Sequence, residues 1–138
     1  MQWISFEEWV RTVPQSIRQD PLWRFQVYPK ALYLFELVWQ DCEILIKDPR
    51  GRAIADQLIR SAGSICANIE EGYGRGYGKE FSHFLRISMG SARESRGWYY
   101  RAHHLLPPSL LEHRLALLDE IIAMLAPNIE RQRRYQRP

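Results

Sequence analysis

The sequence lacks most of the features that announce a chemistry. It holds two cysteines, Cys42 and Cys66, with no CxxC spacing and no neighbouring set of metal ligands, so reduced thiols inside helices are the simple reading. No apolar run approaches the roughly 18 residues that a membrane span needs. The opening MQWISFEEWV is too acidic and too broken for a signal peptide. A cytoplasmic protein without membrane contact is therefore expected.

Catalytic and metal-binding patterns are missing too. His83, His103, His104 and His113 share no ligand spacing with nearby acids, and on a continuous helix His103 and His104 point in different directions. No glutamate-histidine pair recurs on two helices, as a di-iron bundle requires, and neither cysteine has an evident base. The expectation is no enzyme, no metal and no cofactor.

Acidic residues are absent from one particular place. The last eight residues carry Arg131, Arg133, Arg134 and Arg137 and no acid, and they supply the whole excess behind the formal charge of +3. A second basic region lies between Gly72 and His104, where Arg75, Lys79, Arg86, Arg93, Arg96 and Arg101 face only Glu80 and Glu94. Either region is suited to a polyanion.

What is present is apolar and helical in pattern. The 138 residues are 46% hydrophobic, enough for one domain with one core. Five Trp and seven Tyr are many for this length, and such residues are favoured where surfaces bury one another. Residues 1–28 read as an extension interrupted by Pro14, Pro21 and Pro29, with Ser5 and Glu8 forming a capping box. Its Trp3, Phe6, Trp9, Trp23 and Phe25 should dock on the rest of the domain or on a neighbouring subunit.

Residues 29–130 read as four helices, and 131–138 as a basic tail. The first helix is predicted over Lys30 to Lys47, ended by Asp48-Pro49-Arg50-Gly51. It has two apolar stripes, Leu34, Val38 and Leu45 on one and Leu32, Phe35, Trp39, Cys42 and Ile46 on the other, so it needs two partners. The second helix, Arg52 to Glu71, places Ile54, Leu58, Ala62, Ile65 and Ile69 on one face and should stop at Gly72 with a left-handed cap. The glycine-aromatic turn from Gly72 to Gly78 lacks the Gly-Lys-Ser/Thr ending of a phosphate-binding loop.

The third helix is predicted from Lys79 to Leu106, stopped by Pro107-Pro108. Phe81, Phe84, Leu85, Ser88, Ala92, Ser95, Tyr99, Ala102 and Leu106 lie inward on it, and Gly90, Ser91, Ala92, Ser95 and Gly97 permit close approach of another helix. The fourth should open with a Ser109/Glu112 capping box and bury Leu111, Leu115, Leu118, Ile122, Leu125 and Ile129. Pro127 should kink or end it. The fold class expected is all-α, an up-down-up-down four-helix bundle.

The stretch from Gln57 through Asn68-Ile69-Glu70-Glu71-Gly72 resembles the four-helix proteins called the 23S rRNA-intervening-sequence, or S23, family. Gly76 to Gly78, Lys79-Glu80-Phe81, Phe84 to Ser88, Gly90-Ser91-Ala92 and Glu94 follow the same pattern. The resemblance covers roughly residues 30 to 126. Glu70 and Ser95 depart from it, standing where a small residue and a leucine are usual. The resemblance implies a barrel-like homopentamer, related to accessory proteins of diversity-generating retroelements that are thought to bind nucleic acid and a reverse transcriptase. RNA, DNA and a protein partner such as a reverse transcriptase are accordingly the expected partners.

Two sets of residues are candidates for function. Arg60, Ser64, Asn68 and Glu71 share one stripe of the second helix, which Ser91 and Glu94 of the third would meet if the helices are antiparallel neighbours. This is either a polar ligand site or a network that fixes helix register. Lys79, Arg86, Arg93 and Arg101 run along one side of the third helix, with Arg75, Arg96 and His83 near them. In five copies such a face would form a ring attractive to phosphates, with Tyr73, Tyr77, Tyr99 and Tyr100 available for stacking. The leading expectation is a non-catalytic nucleic-acid-binding or ribonucleoprotein accessory subunit. The alternatives are a protein-interaction scaffold using aromatic and apolar surfaces and a small-ligand bundle.

Overall fold

A computed structural model describes residues 3–135, and among them six α-helices and no strand. Two short helices, α1 (Phe6–Val10) and α2 (Gln15–Arg18), and a 3-10 turn at Pro21–Arg24 precede four long ones. These are α3 (Val27–Leu45), α4 (Pro49–Gly74), α5 (Lys79–Arg101) and α6 (Pro108–Arg134). Each long helix lies against the next, and α6 returns against α3. Leu34 and Val38 of α3, Leu58 and Ile65 of α4, Leu85 and Tyr99 of α5 and Leu118 of α6 are fully buried in the shared core.

Helix boundaries follow local chemistry. Asp48-Pro49 follows the end of α3 and also starts α4, three residues before the expected Arg52: the Asp48 carboxylate accepts from the Arg50 and Gly51 amides, and Pro49 takes the first helical position. Gly72 does not cap α4. It lies inside the helix, against Phe81 and Phe84, and the left-handed conformation falls instead on Gly76 and Gly78 (φ 96° and 91°). Helix α5 ends at Arg101 and tightens into a 3-10 turn over Ala102–His104, which brings the rings of His103 and His104 to 4.0 Å of each other instead of splaying them. Helix α6 has Pro107 at its cap position and Pro108 at its start, so Ser109 is already helical and makes no capping box.

The expected divisions at 28/29 and 130/131 fall inside α3 and α6, because α3 begins at Val27 and α6 runs past Pro127 to Arg134. Pro127 lies inside α6 without ending it, although it gives up the amide that would reach Ala123, and the Asn128 side chain donates to the Met124 carbonyl at 2.8 Å within the same turn. Arg137 and the two residues beside it lie outside the described residues.

The N-terminal extension docks on its own chain. Trp9, Val13 and Leu22 are buried in the main core, Trp9 packs against Trp23 and Tyr33, and Phe25 packs against Phe81. The Tyr33 hydroxyl donates to the Ile4 carbonyl at 2.6 Å, which fixes the start of the segment across α3.

The buried line of α6 is displaced from the expected one. Leu110, Arg114, Leu117, Leu118, Ile121 and Leu125 face the core, while Leu111, Leu115, Ile122 and Ile129 are only half-buried. The cause is Arg114, which sits on the core line. Its guanidinium meets Asp41 of α3, and a reading by hydrophobicity assigns both residues to the surface.

Candidate functional site

The six residues of the expected polar network separate into two groups. The hydroxyls of Ser64 and Ser91 lie 2.8 Å apart, and the Asn68 amide donates to the Ser64 carbonyl and hydroxyl at 2.8 and 3.0 Å. These three come together between α4 and α5. Arg60, Glu71 and Glu94 do not join them, since each takes a neighbour on its own helix: Asp56 for Arg60, Arg75 for Glu71 and the Trp98 indole N–H for Glu94.

Three further serines extend the seam. The Ser61 and Ser95 hydroxyls are 2.8 Å apart, Ser95 also reaches the Ser91 carbonyl at 2.9 Å, and Ser88 donates to the Ile65 carbonyl at 2.9 Å. Small hydroxyl side chains let the two backbones approach while leaving no polar atom without a partner. Ser95, one of the two departures from the family pattern, is thereby explained: it contributes a buried bond where leucine would contribute volume. Three of these bonds, Ser64–Ser91, Ser61–Ser95 and Ser88–Ile65, cross between α4 and α5, while those from Asn68 and from Ser95 to Ser91 stay within one helix.

The basic set also divides. Arg75 pairs with Glu71 at 2.8 Å and approaches Glu80 at 3.8 Å, and Arg96 pairs with Asp119 at 2.8 Å. Lys79, Arg86, Arg93 and Arg101 have no carboxylate partner among the described residues, and all four are exposed. Arg101 lies over the Trp98 ring, 4.5 Å from its centroid. Lys79, Arg86 and Arg93 are seven residues apart and so form a line with a step of about 10 Å. Tyr100, 62% exposed, stands a further seven residues on. The open side of Gly90 lies within the line, with no atom within 4 Å of where a Cβ would be.

Of the other tyrosines, Tyr77 is as open as Tyr100, at 66% exposed, while Tyr73 is half-buried and Tyr99 covered. Tyr99 is buried and donates to Asp41, Tyr73 packs edge-on against Phe81, and Tyr77 lies against Tyr135. The Gly78 amide, which a phosphate-binding turn would leave free, donates to the Gln132 side chain at 2.9 Å.

Sequence reasoning missed a buried cluster built on a charge pair. Arg114 donates to both oxygens of Asp41 and to Nδ1 of His113, and Tyr99 donates to Asp41 at 2.6 Å. Trp3 covers it, with its ring 4.6 Å from His113 and 5.0 Å from the Arg114 guanidinium. Burial, followed by the adjacent Asp41, raises the Tyr99 hydroxyl well above the ordinary range. No group of three or more His, Cys, Asp or Glu among the described residues is arranged to hold a metal ion, and no described helix is long and apolar enough to cross a membrane.

The pattern of the 23S rRNA-intervening sequence proteins fits residues 24–127. The chain belongs to that family. It is also similar to a solved protein of unknown function from the S23 ribosomal protein family of Bacteroides thetaiotaomicron VPI-5482, at 23% identity and a TM-score of 0.70, over 75% of this chain and 98% of that one. That likeness concerns the fold. Neither description assigns an enzymatic activity. No curated protein matches the chain.

Proposed function

We propose that the protein is a non-catalytic, nucleic-acid-binding or ribonucleoprotein accessory subunit. In this reading the four long helices form an up-down-up-down bundle, and five copies close into a barrel-like ring. The line of Lys79, Arg86 and Arg93, exposed and without carboxylate partners among the described residues, is the observation that carries the reading. An unpaired cation gains a partner when it meets a phosphate, whereas Arg75 and Arg96 must first give one up. Arg101 and Tyr100 extend the line, the tyrosine as a platform for a base.

The expected binding tolerates sequence and weakens with salt. Three phosphate contacts on a single strand correspond to a slope of about −2 in log K against log salt for each subunit engaged. Fluorescence anisotropy with labelled single-stranded and duplex RNA and DNA at several salt concentrations measures it, beside light scattering for the subunit number. Replacing Lys79, Arg86 and Arg93 together with Gln should weaken binding and flatten the slope. Unchanged affinity in that variant removes this surface from the account. The alternative, a protein-interaction scaffold, is favoured by a separate observation, the partly uncovered apolar face of α3.

A further inference from the structure

The outer face of α3 is only partly covered by its own chain, which leaves Leu32 and Phe35 half-buried. Leu32, Phe35, Trp39 and Ile46 follow one another at helical spacing along it, and Trp39 and Ile46 are 59% and 51% exposed. The N-terminal extension covers only one flank. There Val13, Pro14 and Ile17 wall a groove of about 490 Å³ against Leu32, Phe35 and Trp39.

The charged residues lining this groove are of one sign, and the cation beside its wall, Arg18, is turned to the Val13 carbonyl at 3.0 Å. Glu36 and Glu70 are the charged residues that line it, and Glu43 continues the line seven residues beyond Glu36. None of the three has a cationic partner among the described residues; Glu70 accepts a bond from the Tyr28 hydroxyl at 2.6 Å. Lys47 stands past the far end, next to Ile46. An apolar ridge beside a row of free carboxylates attracts lysine and arginine and repels acids, phosphates included.

We propose that this face docks a cationic amphipathic helix of a partner protein. Its apolar stripe would lie over Leu32, Phe35, Trp39 and Ile46, and its basic flank against Glu36, Glu43 and Glu70. From Leu32 to Ile46 the ridge runs about 21 Å along one helix. A helix matches that length with anchors at three- and four-residue steps while satisfying its own backbone. The cationic line on α5 of a second copy fits poorly, because the surface between its basic residues offers Ile87 but otherwise Gly90 and Gly97, and so no apolar stripe to fill the groove. The groove faces away from that basic line, because α3 and α5 are not neighbours in the ring of four helices, and the proposal does not depend on phosphate binding.

The test uses the full chain and a labelled 18-residue leucine/lysine amphipathic helix, with its leucine/glutamate counterpart as control, followed by anisotropy at low and high salt. The lysine peptide should bind with salt-sensitive affinity and the glutamate peptide should not. Trp39→Ala should weaken binding at least tenfold, and E36K with E43K should reverse the preference between peptides. Circular dichroism confirms that the variants fold; all three positions are at the surface or half-buried, so folding should hold. Replacing Lys79, Arg86 and Arg93 with Gln should leave peptide binding intact, which separates this surface from the phosphate reading. Equal binding of both peptides, or binding indifferent to Trp39 and to the charge reversal, overturns the proposal. So does a Trp39→Ala variant that turns an oligomer into a monomer, since a second copy would then be the occupant.

Discussion

Arg114 of α6 grips Asp41 of α3 with two bonds, Nε to Oδ2 at 2.8 Å and Nη2 to Oδ1 at 3.0 Å, and their side chains are 1% and 3% exposed. Tyr99 of α5 adds a third bond to the same carboxylate, so three of the four long helices meet at one charge pair. Breaking such a pair leaves a buried charge without compensation. Asp41→Ala and Arg114→Ala should each cost about 3–5 kcal/mol, and Asp41→Leu combined with Arg114→Met should recover much of the loss. Urea unfolding of the two single variants and the double variant decides it. Single-variant losses under about 1 kcal/mol would mean that water reaches the pair.

His113 makes the same cluster sensitive to pH. Its Nδ1 accepts from Arg114, so the folded protein holds the ring neutral, and burial together with the Arg114 charge lowers its pKa below the usual value. A histidine depressed in the folded state binds fewer protons there than in the unfolded chain. Its contribution to stability is therefore complete above the unfolded pKa of about 6.5 and declines as pH falls through and below it. Thermal unfolding should show a lower Tm at pH 5 than at pH 7.5. In His113→Gln, which retains an acceptor for Arg114, that part of the slope should vanish. A slope identical to that of the parent protein would assign the pH dependence elsewhere.

Two glycines should respond oppositely to alanine. At Gly72 a Cβ would stand 2.7 Å from the Phe84 Cβ and 2.9 Å from the Phe81 ring, where the neighbouring Cβ cannot swing away. Gly72→Ala should destabilise by about 1–3 kcal/mol. At Gly90 a Cβ meets nothing within 4 Å, and alanine in an exposed helix interior is favoured by about 0.5–1 kcal/mol. Chemical unfolding of both variants gives the comparison. Equal effects would show that close packing at Gly72 is not what selects glycine there.

These glycines also mark how far the sequence can be read. In α4 an unbroken apolar period made Leu58, Ala62, Ile65 and Ile69 legible, and all four are buried. The end of that helix was not legible, because a glycine required for close packing looks the same in sequence as one required for a left-handed cap. In α6 the phase was hidden by a charge: Arg114 occupies a core position that only its partner, 73 residues away, makes tolerable. The candidate site follows the same division. Ser64, Asn68 and Ser91 are short and half-buried or buried, so their helical spacing is enough to bring them within hydrogen-bond reach of one another. Arg60, Glu71 and Glu94 are exposed, and each took a partner four residues away on its own helix, in the pairs Asp56–Arg60, Glu71–Arg75 and Glu94–Trp98. Local pairing of long side chains competes with any pairing between helices, and spacing alone does not reveal the winner.

The two cysteines offer a check on core packing that needs no mutation. Burial comes first among the causes that raise both thiols, Cys42 to about 11 and Cys66 to about 12, with Asp41 and Glu70 adding to it respectively. The thiolate is the reactive form, so at pH 8 a thiol with its pKa near 11 reacts about two orders of magnitude more slowly than a free one with a pKa of about 8.5. In the folded protein Ellman's reagent should release almost no chromophore over minutes, with Cys42, which is only half-buried, reacting before Cys66. In guanidinium chloride both should react at once. Rapid labelling of one thiol under native conditions, located at Cys42 by mass spectrometry of the labelled peptide, would show that the seam between α3 and α4 opens there, next to the apolar face of α3. A helix docked on that face should then slow the labelling, and an unchanged rate would place the opening elsewhere.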